Sequence, residues 1–171
     1  METKQKIIDE YKTLVKEHRT ADISVAEICR SLGISRKTFY NYFHDRYAIV
    51  EAIMFDEIEK PLLKAIGANF GRKDLVRGIF ESFLYDRDFY RYAIIEDCQN
   101  SLYDNLIESL TAIISEKDKA KGKSILTPKE CEYVNYKFAA DIVFLIKKWI
   151  LEGMAESPES MSKIYIYPKF D

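Results

Sequence analysis

A short basic and aromatic cluster contains the residues whose types and spacing are best suited to a binding chemistry. It lies in the stretch LGISRKTFYNYF, residues 32–43, immediately around and after a glycine. Arginine and lysine side chains donate hydrogen bonds to phosphates and to guanine edges, and tyrosine hydroxyls suit backbone phosphates. These are the side chains that the major groove of a DNA duplex requires. The cluster consists of Arg36, Lys37, Thr38, Tyr40, Asn41 and Tyr42.

Two short helices joined by a tight turn are predicted to position this cluster. Ser24 begins a capping-box pattern, which predicts a helix over residues 25–32. Gly33 ends that helix, because the turn requires a residue that tolerates positive φ. Ser35 then caps a third helix, predicted over residues 36–43. Two helices around a glycine turn, the second of them basic, are typical of a helix-turn-helix.

The third helix is predicted to have one buried face and one exposed face. Ile28, Leu32, Ile34 and Phe39 are the apolar positions that would hold the two helices together and against the first helix. Cys29 falls where these helices cross most closely, so a small residue is required there. The basic and aromatic cluster is therefore left on the solvent side.

The exposed side chains divide by chemistry. Arg36 and Lys37, near the start of the helix, are predicted to donate to guanine O6 and N7, contacts that discriminate by about 1–3 kcal/mol. Thr38 offers a methyl to thymine or a hydroxyl to phosphate, and Tyr40 and Tyr42 suit phosphates. For Tyr42, packing against the first helix is an equally good interpretation. The predicted DNA-contacting set also includes Ser24, Ser35, Asn41 and Arg46.

Composition indicates a helical globular protein. The 171 residues are 47% hydrophobic and 32% charged, with only four prolines and six glycines. The net charge of −2 conceals a mild asymmetry, because residues 1–50 hold nine Lys/Arg against seven Asp/Glu. The excess of positive charge near the N-terminus suits a nucleic-acid-binding end, followed by a neutral-to-acidic body.

Several function classes are disfavoured. Three scattered cysteines and two histidines predict neither a disulfide framework nor a metal site, and no cofactor is expected. No apolar run is long enough for a membrane span, and no secretion signal is recognisable, so a cytoplasmic location is expected. No nucleophile–base pair or phosphate-binding loop indicates an enzyme.

Almost the whole chain has a helical period. Pro61 is expected to disturb the long fourth helix, and the polar stretch 116–124 is predicted to be a solvated loop. The end of the chain, KIYIYPKF, alternates like a strand, although a fraying helix end is favoured. About nine helices are predicted, at residues 4–18, 25–32, 36–43, from 45 past Pro61, 74–85, 89–95, 101–115, 128–153 and 158–164.

These residues resemble the DNA-binding domain of TetR/AcrR-family transcriptional regulators over about fifty positions. The resemblance rests on the Thr-aromatic-Tyr-x-x-Phe run of residues 38–43, the turn of residues 33–35 and the basic Arg46. Cys29 replaces the usual alanine, Arg46 stands where lysine is common, and Tyr47 stands where an acidic residue is frequent. The resemblance implies an all-α fold, with a DNA-binding domain at residues 1–47 and a C-terminal helical domain at residues 48–171. It also implies a homodimer that binds a palindromic operator.

The resemblance further implies that the last two long helices pair two chains and that the C-terminal domain binds a small-molecule effector. A repressor is expected, while an activator, or a protein that acts through another protein, stays open. The expected interface residues are Phe138, Ile142, Leu145, Ile146, Trp149, Met161 and Ile164. Either an effector pocket or ordinary core packing would explain the aromatic residues Phe80, Phe83, Tyr90, Tyr103, Tyr133 and Tyr136.

Overall fold

The chain folds as a set of packed helices. The computed structural model describes residues 3–95, 101–121 and 124–167, and these ranges contain no strand. This confirms the all-α prediction. A π-helical turn, Phe55–Glu59, joins α4 to α5. The helices are α1 Thr3–His18, α2 Val25–Leu32, α3 Arg36–Tyr40, α4 Tyr47–Met54, α5 Lys60–Gly67, α6 Arg72–Tyr85, α7 Arg87–Ile95, α8 Ser101–Lys121, α9 Pro128–Leu151 and α10 Pro158–Ile166.

The first three helices share one apolar core. Ile7 and Tyr11 of α1, Ile28 of α2 and Phe39 of α3 are each almost completely buried. Their spacing places apolar residues on one side of each helix, which leaves the charged residues on the other side. Helix α1 contacts α2, α4 and α7, so it lies between the helix-turn-helix and the rest of the chain.

Pro61 alters the long fourth helix one turn before its own position. A proline has no N–H, so the helix cannot continue its regular hydrogen bonds at this point. The N–H of Lys60 donates to the carbonyl of Phe55 in the wider π pattern. Ile58 and Leu62 remain buried on the same side across the disturbance, as predicted.

The C-terminal helices enclose a second apolar region built partly from aromatic rings. Phe80 of α6 meets Trp149 of α9 edge to face, with ring centroids 5.2 Å apart. Phe83 and Tyr90 make a similar contact at 4.8 Å. Edge-to-face pairs of this kind are the arrangement that aromatic quadrupoles favour. These rings connect α6, α7 and α9 into a single core.

A partly buried charge network joins α1 to the C-terminal helices. Lys12 Nζ lies 2.5 Å from Glu57 Oε1 in the π-helical turn and 2.9 Å from Asp86 Oδ2 after α6. The hydroxyl of Tyr90 donates to Glu57 Oε2 at 2.8 Å. Burial alone would lower the pKa of Lys12, but the hydrogen bonds to the two carboxylates outweigh it and raise that pKa. We call these four residues the Lys12 network.

Two helix boundaries next to the helix-turn-helix differ from the sequence predictions. Helix α3 ends at Tyr40 instead of Phe43, because the N–H of Tyr42 turns back to the carbonyl of Phe39 at 2.9 Å and directs Phe43 into the core. Helix α4 begins at Tyr47, although Asp45 accepts the expected capping bond from the N–H of Ala48 at 2.9 Å.

The polar loop predicted after residue 115 was wrong over residues 116–121, which continue α8. Lysine, glutamate and alanine are good helix formers, so a polar composition did not end the helix. Of the rest of that predicted loop, residues 122–123 lie outside the described residues, and Ser124 belongs to no helix or strand. Helix α10 runs to Ile166, as a helix rather than a strand, and the last three residues of KIYIYPKF also lie outside the described residues.

Candidate nucleic-acid interface

The turn between α2 and α3 has the geometry that its glycine predicts. Gly33 has φ 63° and ψ 30°, in the left-handed region. Its N–H donates to the carbonyl of Arg30 at 3.3 Å, and the N–H of Ile34 donates to the carbonyl of Cys29 at 3.0 Å. This pair of bonds closes the end of α2 as a Schellman motif. The turn therefore fixes the direction in which α3 leaves.

The start of α3 is fixed by its own side chains. The N–H of Thr38 donates to Ser35 Oγ at 3.0 Å, and the hydroxyls of these two residues lie 2.9 Å apart. Ser35 thus caps α3 as predicted. Its hydroxyl already accepts the capping hydrogen bond of α3. A contact between Ser35 and a DNA phosphate would therefore involve a group that also stabilises the helix.

Helix α3 and the turn after it have one buried face and one exposed face. Phe39 is completely buried, while Tyr40 is 54% exposed and Tyr42 is 40% exposed. Thr38 is half-buried. The exposure of Tyr42 leaves it available to a ligand. The structure brings together on one exposed surface Arg36, Lys37, Tyr40, Asn41 and Tyr42, which we call the α3 face.

Ser24 is exposed, but its hydroxyl is engaged in the capping box. Ser24 Oγ accepts from the N–H of Glu27 at 3.2 Å and donates to Glu27 Oε2 at 2.6 Å. These hydrogen bonds from Ser24 hold the pKa of Glu27 below its usual value. A phosphate at Ser24 would have to compete with the Glu27 carboxylate.

Arg46 is held by neighbouring residues at the start of α4. Its guanidinium forms an ion pair with Asp22 and donates to the hydroxyl of Tyr47 at 3.2 Å. The hydrogen bond to Tyr47, more than the one to Asp22, raises the pKa of Arg46. Arg46 therefore joins α4 to the loop before α2, a role that the sequence did not reveal.

Two further side chains near the α3 face were not predicted from the sequence. Lys4 of α1 is exposed, and its Nζ lies 5.7 Å from the ring centroid of Phe43. Tyr47 is 40% exposed beside Arg46. Lys4 lies nearly forty residues before Phe43, so only the packing of α1 against the helix-turn-helix reveals its position. For Tyr47, the sequence did offer a signal, because a tyrosine stands there in place of the acidic residue that is frequent in the family.

Comparison with known families identifies the fold. Residues 7–53 match bacterial regulatory proteins of the tetR family, and residues 73–166, more than half of the chain, match the transcriptional regulator C-terminal region of TetR type. The chain belongs to the TetR family of transcriptional regulators. A search of the curated proteins found no match.

Solved structures of TetR-family regulators have the same fold. A putative TetR-family regulator from Syntrophomonas wolfei is 19% identical, with TM-score 0.67, covering 95% of this chain and 90% of the other. A TetR regulator from Streptococcus agalactiae is 16% identical, with TM-score 0.69 and the same coverages. The dihydroxyacetone kinase operon activator DhaS is 19% identical, with TM-score 0.65, covering 96% of this chain and 92% of the other. The predicted boundary at residue 47 stays a prediction.

Four of the seven expected dimer residues of this TetR-family chain face its own core. Ile142, Ile146, Trp149 and Met161 are buried within the chain itself, so they are not available to a partner. The second half of α9, residues 138–150, is apolar nearly all round, and the sequence did not show which side faces its own core. Of the other expected residues, Phe138 and Leu145 are half-buried, and Ile164 is 51% exposed.

The aromatic residues expected around an effector do not form one pocket. Phe80, Phe83 and Tyr90 are buried core residues, whereas Tyr133 and Tyr136 are exposed. Tyr103 is half-buried under Lys147, whose Nζ lies 4.4 Å from its ring centroid. A cavity of about 190 Å³ lies instead between α5, α6, α8, α9 and α10, and none of these six residues lines it.

Neither a metal centre nor a membrane span is found within the described ranges. Over residues 3–95, 101–121 and 124–167, no group of three or more His, Cys, Asp and Glu residues is placed to hold a metal ion. Within the same ranges, no helix combines the length and the apolar character needed to cross a membrane.

Proposed function

We propose that this TetR-family regulator is a sequence-specific DNA-binding repressor that acts as a homodimer and is released by a small-molecule effector. The observation that carries the proposal is the α3 face. It joins two cations, two tyrosines and an asparagine on the exposed side of a helix whose other side is anchored by Phe39. Cations at phosphates supply affinity, and side chains at base edges supply sequence preference.

We expect the residues of the α3 face to have different roles. Arg36 and Lys37 lie at the first turn, where recognition helices contact base edges in a major groove. Tyr40 and Tyr42 follow on the exposed side, where their hydroxyls suit phosphates. We expect Arg36→Ala to cost about 1–3 kcal/mol at one base position and to relax the preference there.

The decisive experiment is the selection of bound duplexes from a random pool. The proposal predicts an enriched palindromic sequence whose affinity falls steeply with salt. Tyr40→Ala should weaken binding to all sequences alike, while Arg36→Ala should change the enriched sequence. Lys60→Ala removes an exposed positive charge on α5, outside the α3 face, where it pairs with Asp56 in a surface contact, and is the matched control. A pool without any enrichment would refute sequence-specific binding.

We place the dimer contact on the outward side of α9, which is a revision of the residues expected from the sequence. Phe144 is 66% exposed and Leu151 is 55% exposed, and they continue a helical stripe from Tyr133 and Tyr136. An exposed apolar stripe of this kind is typical of an interface. A two-fold dimer would present two copies of α3 to successive major grooves about 34–36 Å apart.

Two charge substitutions test the dimer. Phe144→Asp should convert the dimer to a monomer in light scattering and weaken operator binding, because one α3 contacts only one half-site. Tyr85→Asp is the control, since Tyr85 is 87% exposed at the end of α6 and is not part of the exposed stripe of α9. A Phe144→Asp protein that stays dimeric would place the interface elsewhere.

Activation is the second candidate outcome, because the structurally similar DhaS carries the name of an operon activator. The fold is compatible with both outcomes, since the position of the operator relative to the promoter decides between them. Transcription in vitro from a template with the selected site separates them: a repressor lowers the transcript level and an activator raises it. A third possibility, action through another protein alone, predicts that alanine at Arg36, Lys37 and Tyr40 leaves function intact in cells.

A further inference from the structure

We propose that the cavity between α5, α6, α8, α9 and α10 binds a small monocarboxylate with a compact apolar body. The proposal names the effector class for the ligand response proposed above, and it rests on that proposed function for its regulatory meaning. Its structural basis is independent of DNA binding. It consists of the size of the cavity, its aliphatic walls and the charge at its border.

The cavity is apolar and small. Leu75 and Ile79 of α6 lie on one side, and Leu110, Ile113 and Ile142 of α8 and α9 lie on the other. Its volume is about 190 Å³. A dry apolar cavity of about 150 Å³ is known to accept benzene, so this cavity has room for one ring or a short branched chain and not for a large drug-like molecule.

The charged groups at this cavity are positive. Arg72 and Lys117 line it, and within the described chain no aspartate or glutamate does. Arg72 forms no ion pair with a carboxylate among the described residues, whereas Arg77 one helical turn later is paired with Asp74 and Glu81. An arginine beside an apolar cavity matches a carboxylate, because its planar N–H donors engage both oxygens.

Aromatic rings fix the position of the Arg72 guanidinium. Its Cζ lies 4.5 Å from the ring centroid of Phe138 and 5.7 Å from that of Tyr165. The hydroxyl of Tyr165 donates to the carbonyl of Phe138 at 2.7 Å, so this ring is itself held in place. Stacking on two fixed rings reduces the side-chain freedom that Arg72 would lose on binding an anion.

A groove on the other side of α6 provides an internal contrast. Its volume is about 500 Å³, and its lining includes Glu57, Asp74 and Glu81. Three carboxylates disfavour an anionic ligand there, because like charges repel. The two spaces share Leu62, Leu75 and Ile79 in their linings, so they differ mainly in charge and size. Arg77 also lines the larger groove, but it is paired there with Asp74 and Glu81. Among the described residues, only the smaller space has positive charge at its border without a carboxylate in its lining.

Calorimetric titration of the full chain with ligands of matched size tests the site. Benzoate and hexanoate are the carboxylate probes, benzamide and toluene are neutral probes, and benzylamine is the cationic probe. We expect both carboxylates to bind, benzamide to bind more weakly and benzylamine not to bind. Benzylamine that binds as tightly as benzoate, or no binding of either carboxylate, would overturn the proposal.

Substitutions identify which residues bind the ligand. Arg72→Gln should weaken benzoate binding about tenfold and leave toluene binding unchanged, because only the charged hydrogen bonds are lost. Lys64→Gln removes an exposed positive charge from α5 outside the cavity and is the matched control. Val76→Phe should fill the cavity and abolish binding of benzoate and toluene alike. If Val76→Phe does not fold, the benzoate affinity of Arg72→Gln tests the site by itself, because Arg72 is exposed and its replacement should not prevent folding. Equal benzoate affinity in Arg72→Gln and wild type refutes the assignment.

Parallel binding of the selected DNA separates this proposal from the preceding one. A protein that binds its DNA but gives no heat with either carboxylate refutes the carboxylate site and leaves the DNA-binding proposal intact. If the protein binds benzoate through Arg72 but binds no DNA, the proposal of a DNA-binding regulator is refuted and the proposal of a carboxylate site still holds.

Discussion

Replacing Lys12 by methionine removes the centre of the Lys12 network while preserving most of the side-chain volume. The Lys12 side chain is 12% exposed, that of Asp86 is 16% exposed and that of Glu57 is 27% exposed. Breaking a fully buried pair costs about 3–5 kcal/mol, and breaking an exposed one costs about 0–1 kcal/mol. This network lies between those limits, so we expect a loss of about 2–3 kcal/mol in the free energy of unfolding. For a chain of this size that loss lowers Tm by roughly 4–9 °C.

The cost should depend on pH with a definite sign. Burial alone would raise the pKa of Asp86, but the hydrogen bond and charge of Lys12 lower it, so its contribution is lost as pH falls through the folded-state pKa. The pKa of Lys12 is raised, so its contribution is lost as pH rises through the folded-state pKa. The difference between wild type and Lys12→Met should therefore be largest between roughly pH 5 and pH 9.

Urea denaturation across this pH range measures the effect, with two further variants to isolate its cause. Lys60→Met breaks an exposed pair with Asp56 and should change stability by less than about 0.5 kcal/mol. Adding Glu57→Gln and Asp86→Asn to Lys12→Met should recover much of the loss, because no unpaired charge is then buried. A Lys12→Met protein as stable as Lys60→Met, or a loss independent of pH, would contradict this reasoning.

Two other substitutions test local features of the fold. Gly33→Ala should lower stability by about 1–2 kcal/mol through backbone strain alone, because φ is 63° and nothing lies within 4 Å of an added Cβ. Thermal unfolding would measure it, and Gly33→Asn should cost less. Trp149→Phe should cost about 1–2 kcal/mol, because it leaves the carbonyl of Glu156 without the indole N–H that donates to it at 2.9 Å. A near-neutral result in urea denaturation would mean that water replaces the indole N–H.

The starts of α2, α3, α9 and α10 could be predicted from the sequence because their causes are local. Ser24 with Glu27 and Thr127 with Glu130 form the expected capping boxes, each complete in both directions. Each involves residues three apart, so no distant contact is needed to form it. Gly33 is predictable for the same reason, since the requirement for positive φ lies in the turn itself.

The dimer and effector residues could not be predicted in this way, because they depend on which face of a helix meets its own chain. Ile142 and Phe144 lie two positions apart on α9 and have similar hydropathy, yet one is 3% exposed and the other is 66% exposed. No local pattern distinguishes them, because the second half of α9 is apolar nearly all round. The packing of α6 and α8 decides which face is buried. Arg72 and Tyr165 likewise meet only through the contact of α6 with α10.

The Lys12 network connects helices that line the cavity to the helix-turn-helix. The stretch from α4 through the π-helical turn to α5 carries Glu57 in the network, and two turns later Ile66 lines the cavity. Helix α6 connects the same two places, since Arg72 at its start borders the cavity and Asp86 directly after its end contacts Lys12. Lys12 belongs to α1, which packs directly on α2 of the helix-turn-helix. Under the proposed ligand response, a ligand that favours one arrangement of α5 and α6 would therefore act on α1 through partly buried charges, and the DNA-binding helices would follow.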